Sequence, residues 1–275
     1  MRAHEQSFDI IRQSARHGEP DRYLAALLSP REVRGDLITL AAFLSEIGRI
    51  GREVNDPMPG EIRLQWWRDA LLSLPAQVTG SPIADAFAAT IARRKLSHDV
   101  ISDLLDANAH QLYPDPPADD AALMLSLKLT EGTAFKLAVQ ISGMPDSGAH
   151  TVAIENAGIA YGLAKLGLTL PYNLMQRRMP VPPAWAPSAQ TDAKDAWRPA
   201  LARICAVARA HLSPVAAAFP SLPNALKSAL LPIALVEPYL RALERDGHDA
   251  AHDVAEIAPL ARAGKIGWAY VCGRV

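Results

Sequence analysis

Cysteine is almost missing from this sequence: Cys205 and Cys272 are the two in 275 residues, too few for a disulfide framework or, by themselves, a zinc site. Both read as ordinary thiols. An excess of either charge is missing too, since 28 Lys and Arg stand against 29 Asp and Glu, and a net charge of −1 gives no basic face for nucleic acid. No nucleic-acid partner is expected. No stretch offers the run of about 18 uncharged apolar residues that a membrane span needs, and the opening MRAHEQSFDIIRQSARHGEPDRY lacks the apolar core of a secretory signal. The expectation is a cytoplasmic protein with at most a weak peripheral contact at the inner membrane. Alternating β-branched runs, fixed-period repeats and low-complexity tails are absent as well, which disfavours sheets and solenoids.

What is present is helical periodicity. With 49% hydrophobic and 21% charged residues, the chain can bury a substantial core as one domain. In REVRGDLITLAAFLSEIG, Val33, Leu37, Leu40, Ala41 and Leu44 share one helix face, and the pattern recurs along the chain. This predicts an all-α protein. Turn compositions at 17–23, 27–32, 55–61, 72–82, 113–117, 143–148 and 178–189 leave room for about eight or nine helices between them. Ser29, Pro30 and Glu32 predict a helix start near residue 30, with Ser29 as its N-cap. The longest loop, 178–197, is rich in Pro and Trp; it reads either as a binding segment or as a surface connection whose tryptophans pack locally.

Several stretches carry a resemblance. DRYLAALLSPREVRGDLITLAAFLSEIGRI (21–50) resembles the opening of the squalene/phytoene synthase family, and LMLSLKLTEGTAFKLAVQISG (123–143), AGIAYGLAKLGLTLPYNLMQRRMPVP (157–182) and LVEPYLRALERDGHD (235–249) are similar to its later helices in order and spacing. The resemblance implies a single-domain helical bundle of the isoprenoid synthase type over 20–275, preceded by an extension at 1–19. It also implies the family's activity, the head-to-head joining of two prenyl diphosphates, with Mg²⁺ held by two aspartate-rich motifs that neutralise the departing diphosphate.

The motif positions depart from that pattern. Aligned without gaps, Gly48, Arg49 and Arg52 fall at the first motif's aspartates, and Ser45 falls where a phosphate-binding arginine is expected. In the second motif Lys165 falls at the family's asparagine, with Thr169 and Asn173 at its aspartates; Arg178 and Pro182 match the family's Arg-x-x-x-Pro turn beyond it. Asp21 and Arg22 replace a Ser-Phe pair, while Tyr23 agrees. Cations cannot ligate Mg²⁺, so these positions point to no catalytic residue, no metal and no cofactor. Mg²⁺ enters only in the alternative, an active prenyl transferase recruiting Glu46, Glu53 and Asp56.

GREVNDPMPGEIRLQWWRDAL (51–71) resembles one branch of the family, related to a mitochondrial complex I assembly factor and its bacterial relatives. The branch implies a non-catalytic role in assembling or stabilising respiratory complex I, with a complex subunit or assembly intermediate as partner. In this segment Glu61, Trp66, Trp67 and Arg68 are candidates for partner contact, because aromatics beside arginine are enriched at binding hot spots. The plain alternative buries Trp67 in the core and pairs Glu61 with a cation. Ser45, Gly48, Arg49, Arg52, Lys165, Thr169, Asn173 and Arg178 could bind an anion or lipid head group, or the cations among them could pair with Glu46, Glu53 and Asp56. A third reading is an isoprenoid or lipid binder without chemistry. Asp99 with Asp103, and His248 with His252 among Asp246, Asp249 and Asp253, have the spacing of ligands but read as solvated faces. His110 has no serine or cysteine pattern beside it, and the glycines of GRIGRE follow no strand.

Overall fold

In a computed structural model of the chain, the described residues are all except 1, 54–55, 74–77, 145–147, 149 and 188–195, with side chains described from residue 6 onward. Among them every regular element is helical. In chain order these are α1 (Arg2–Gly18), α2 (Pro20–Leu28), α3 (Arg31–Glu53), α4 (Pro57–Leu72), α5 (Pro82–Arg94), α6 (His98–His110) and α7 (Asp120–Leu127). A π-helical turn (Lys128–Gly132) precedes α8 (Thr133–Ile141), followed by α9 (Thr151–Met175), α10 (Arg198–Ala218), α11 (Asn224–Leu230), α12 (Val236–Leu243) and α13 (Pro259–Cys272). The expected all-α class is observed. The helical segments outnumber the about eight or nine expected from turn signals, because the π turn divides 123–143 and Pro220, Pro223 and Pro232 break the chain between α10 and α12.

Two compact units organise these helices: Met1–Tyr113 with Thr133–Ser147 and Pro223–Leu231, and Pro114–Gly132 with Gly148–Leu222 and Pro232–Val275. In the first unit α3 is central. Its predicted face is buried at Leu37, Leu40, Ala41 and Leu44, each aliphatic side chain contributing about 1.5–3 kcal/mol when the larger ones leave water. Phe43 stacks on Phe87 at 4.4 Å and receives the edge of Trp67 at 5.3 Å. Residues 1–19, expected as an extension, supply α1, which packs along α3 so closely that a Cβ on Gly18 would sit 1.8 Å from Ser45 Oγ.

Ser29 does not cap α3. Its hydroxyl donates back to the Ala25 carbonyl of α2 at 3.2 Å, and the amides of Val33 and Arg34 turn to the Pro30 carbonyl instead. The helix therefore starts one residue later than predicted, at Arg31. Near that start the buried Asp36 accepts from Arg93, Arg94 and Thr90 of α5. The stretch 55–61, read as a turn, holds the beginning of α4: Asp56 accepts from the Met58 amide, and Pro57 and Pro59 occupy a first turn where missing N–H groups cost nothing.

In the second unit α9 runs against α7, α10 and α12. Small residues set its approach: a Cβ on Gly158 would lie 2.4 Å from Gly132 Cα, and one on Gly167 would lie 2.6 Å from Leu243 Cδ1. Arg209 of α10 binds Glu237 of α12 at 3.0 Å and Glu244 at 2.7 Å. Trp185 is buried, donates to Asp120 at 2.7 Å and carries Arg203 over its ring at 5.0 Å. That part of the 178–197 loop packs locally, while residues 188–195 lie outside the described ones.

Candidate functional site

The positions of the first motif lie on the second half of α3. Ser45 is buried beneath Gly18, its Oγ 3.4 Å from Ser14 Oγ, and Ser14 also donates to Glu46 at 3.0 Å. A longer side chain at 45 would have to displace α1. Three residues on, Gly48 has open space where a Cβ would stand. Arg49 binds Glu46 at 2.7 Å and Glu53 at 3.3 Å, and Glu53 in turn binds Arg63 of α4 at 3.0 Å. Two arginines and two glutamates thus alternate along one surface, with each charge matched. Arg52 is exposed on the same helix.

The segment after this motif builds a wall. Helical period places Leu64, Trp67 and Leu71 of α4 in the core as expected, and the neighbouring residue, Trp66, is left 43% exposed with its ring 5.1 Å from that of Trp67. Met58, Ile62 and Trp66 follow one another at i, i+4 and i+8, so one face of α4 presents an apolar stripe to solvent. Beside it lies a cavity of about 230 Å³ lined by Glu46, Arg49, Ile50, Arg63, Trp66, Trp67 and Ser81. Its mouth is amphoteric and its wall aromatic. Aromatic and arginine side chains of this kind are enriched at binding surfaces in general.

Glu61 and Arg68 are turned to neighbours within the first unit. Glu61 accepts from the Tyr113 hydroxyl at 2.5 Å, a hydroxyl partner where a cation was expected, and this bond pushes the Tyr113 pKa up. Arg68 reaches Ser102 and Asp106 of α6, tying α4 to α6.

The positions of the second motif lie on α9 and just beyond it. Lys165 binds Glu131 of the π turn at 2.8 Å and sits 5.6 Å over the Tyr161 ring. Thr169 donates to the Lys165 carbonyl at 2.9 Å, and Asn173 donates to the Thr169 carbonyl at 3.0 Å. Both side chains are thereby turned onto their own helix. Arg178 is half-buried just past its end. Glu131 was not singled out in the sequence; the only signal there was its place beside the small-residue bend, KLTEG.

These residues do not fit a magnesium ion. Gly48, Arg49, Arg52 and Lys165 present no side-chain oxygen ligand, and Thr169 and Asn173 offer only neutral oxygens, with no carboxylate charge, on side chains bonded back to their own helix. The acids that a shifted alignment would recruit are engaged as well: Glu46 and Glu53 by arginine, Asp56 by the α4 cap. Among the described residues no three His, Cys, Asp or Glu side chains gather closely enough to hold a metal ion. Asp99 and Asp103 face solvent, and Asp249 accepts from Ala251 N and meets His252 at 3.0 Å within its own turn. Cys205 and Cys272 are free thiols; burial raises the Cys205 pKa to about 12, with the charge of Glu244 adding to it.

Among the described residues every regular element is helical, and the positions aligned with the two motifs lie on α3 and α9. The family model for squalene/phytoene synthase matches residues 15–261, and the chain belongs to that family. The complex I assembly factor 6 of Bos taurus is 23% identical over 239 residues, covering 84% of this chain and 72% of that protein. The Mus musculus protein of the same name is 22% identical over 241 residues with the same coverage. Among solved structures, squalene synthase HpnC from Alicyclobacillus acidocaldarius superposes with a TM-score of 0.71 at 19% identity, over 90% of this chain and 96% of that one.

Proposed function

We propose that this chain is a non-catalytic member of its family that assists assembly or stabilisation of respiratory complex I, acting in the cytoplasm at the face of the inner membrane. The observation that carries this reading is the presence of cations, Arg49 and Lys165, at positions aligned with the family's two motifs, each already matched by an acid of its own unit. The resemblance to proteins named as complex I assembly factors supports the choice of partner. On this reading Trp66, with Met58 and Ile62, docks a complex subunit or an assembly intermediate, and Glu46, Arg49 and Arg63 form the polar rim that exchanges ion pairs with it.

Two experiments test it. A deletion strain is expected to lose NADH oxidation by complex I and to regain it with the wild-type gene but not with Trp66→Ala; a normally assembled complex in the deletion strain overturns the proposal. Purified protein given farnesyl or geranylgeranyl diphosphate with Mg²⁺ is expected to release no pyrophosphate while an active synthase does. Release lost on chelation would establish the transferase reading instead.

A further inference from the structure

Helix α13 lies almost wholly beyond the region matched by the family model, which ends at residue 261. Its Ile266 and Ala269 are buried, 1% and 2% exposed, and its Arg262 guanidinium lies 5.9 Å over the ring of Tyr239 in the same unit. The opposite face is the unusual one. Leu260, Gly264, Trp268 and Val271, spaced i, i+4, i+8 and i+11, form one stripe, in which Leu260 is 85%, Trp268 67% and Val271 80% exposed. A helix built only to cover a core would turn such residues inward and show charges outward. Here the apolar stripe faces water.

Charge says what covers it. From Pro259 to Val275 there is no Asp or Glu, while Arg262, Lys265 and Arg274 are all cationic. Lys265 borders the stripe at the middle of the helix and Arg274 follows its end. The acids Asp253 and Glu256 lie before the helix, so the charges within it, Arg262 and Lys265, and Arg274 after its end are all positive. The helix is too short to span: at 1.5 Å per residue its 14 residues reach about 21 Å against a hydrocarbon core of about 30 Å, and no helix among the described residues is long and apolar enough to cross. Exposed leucine, valine and tryptophan with flanking cations and no acids is the pattern of a helix lying in a bilayer interface.

We propose that α13 is an in-plane anchor for an anionic lipid surface. Leu260, Trp268 and Val271 enter the boundary between head groups and acyl chains, while Lys265 and Arg274 meet lipid phosphates. The proposal goes with the membrane-side location above but not with the assembly role, since purified protein and lipid are enough to test it.

The test is co-sedimentation of the full chain with vesicles of phosphatidylethanolamine and phosphatidylglycerol, and with vesicles of phosphatidylcholine alone. The protein is expected to bind the anionic vesicles about tenfold more tightly than the neutral ones. Leu260→Ser, Trp268→Ser and Val271→Ser together are expected to reduce that binding at least about tenfold without lowering the thermal midpoint, because these side chains are solvent-exposed. Lys265→Glu with Arg274→Glu should abolish the preference for phosphatidylglycerol. Failure of the wild type to sediment with either vesicle, or unchanged binding by the triple serine variant, overturns the proposal. So does a dimer, seen by light scattering, that the triple variant dissolves, since the stripe would then be covered by a second copy. A normal complex I in the deletion strain would leave the vesicle result untouched, so the two readings fail separately.

Discussion

The two helices that carry the positions aligned with the family's motifs hold cations there in different surroundings. On α3 the replacement is at the surface: Arg49 lies half exposed between Glu46 and Glu53, and Glu53 passes the pairing on to Arg63 of α4. On α9 it is more enclosed: Lys165 and Glu131 are 30% and 17% exposed, and Thr169 and Asn173 bond to helix carbonyls. In both places a cation at a motif position is matched by an acid from the same unit, so neither leaves an isolated charge. The difference is in what surrounds them. The α3 change adjoins an aromatic groove with an exposed tryptophan, whereas the α9 change adjoins a glycine-to-glycine crossing. The α3 positions thus adjoin a solvent-facing surface, and the α9 positions adjoin a close helix contact.

The largest expected effects separate core from surface. Trp67→Ala should cost about 3–5 kcal/mol in chemical denaturation, since Trp67 packs on Phe43, whereas Trp66→Ala should change stability by less than about 1 kcal/mol yet abolish complementation of the deletion strain. A functional Trp66→Ala protein would remove α4 from the proposal. Gly158→Val should cost about 3 kcal/mol, because the added atoms meet Gly132 backbone that cannot rotate away. Gly48→Ala, at a motif position on α3 with open space, should instead gain about 0.5–1 kcal/mol from helix propensity. If both substitutions proved neutral, the contrast between the two helices would fail.

Acid should act on both units. Burial pushes the Asp36 pKa up, but hydrogen bonds from Arg93 and Arg94 outweigh it and hold the carboxyl below its ordinary value. Glu237 is likewise opposed by burial and brought down by Arg209 and Arg241, while Glu244 is brought down first by its bonds to Arg209. A depressed folded-state pKa contributes stability that is complete above the unfolded value, near about pH 4, and is lost as pH falls through the folded value. Asp36→Asn should cost about 2 kcal/mol at neutral pH and flatten the acid limb of the stability profile. An unchanged limb would mean that other carboxylates dominate. The smallest effects compare the ion pairs themselves: Glu131→Gln should cost about 1 kcal/mol by leaving the half-buried Lys165 without this carboxylate, and Glu53→Gln within about 0.5 kcal/mol.

Periodicity made much of this legible. The buried faces of α3 and α4, and the division of labour between Trp67 and Trp66, follow from spacing alone, because a residue one step along a helix points about 100° away. The substituted motif positions were also readable as residue types. The partners of Arg49, Glu46 and Glu53, were among the pairs its own helix offered, but that of Lys165 was not: Glu131 is 34 positions away and nothing local joins them. The start of α4 within NDPMPGE was obscured because proline marks both a turn and a first helical turn, and the Asp56 cap that decides between them is a matter of geometry. The stripe on α13 escaped notice because both of its faces are apolar, so the sequence does not say which one turns inward.

By itself, the sequence determined the all-α class, the helix faces and the absence of carboxylates at the motif positions, since each depends on residue type and on a fixed rotation per residue. Only the tertiary structure decided that Lys165 is paired with Glu131, that Ser45 is covered by α1, and that the Leu260–Val271 stripe stays in water. Pairing and exposure depend on what residues distant in the chain bring alongside, and packing supplies that.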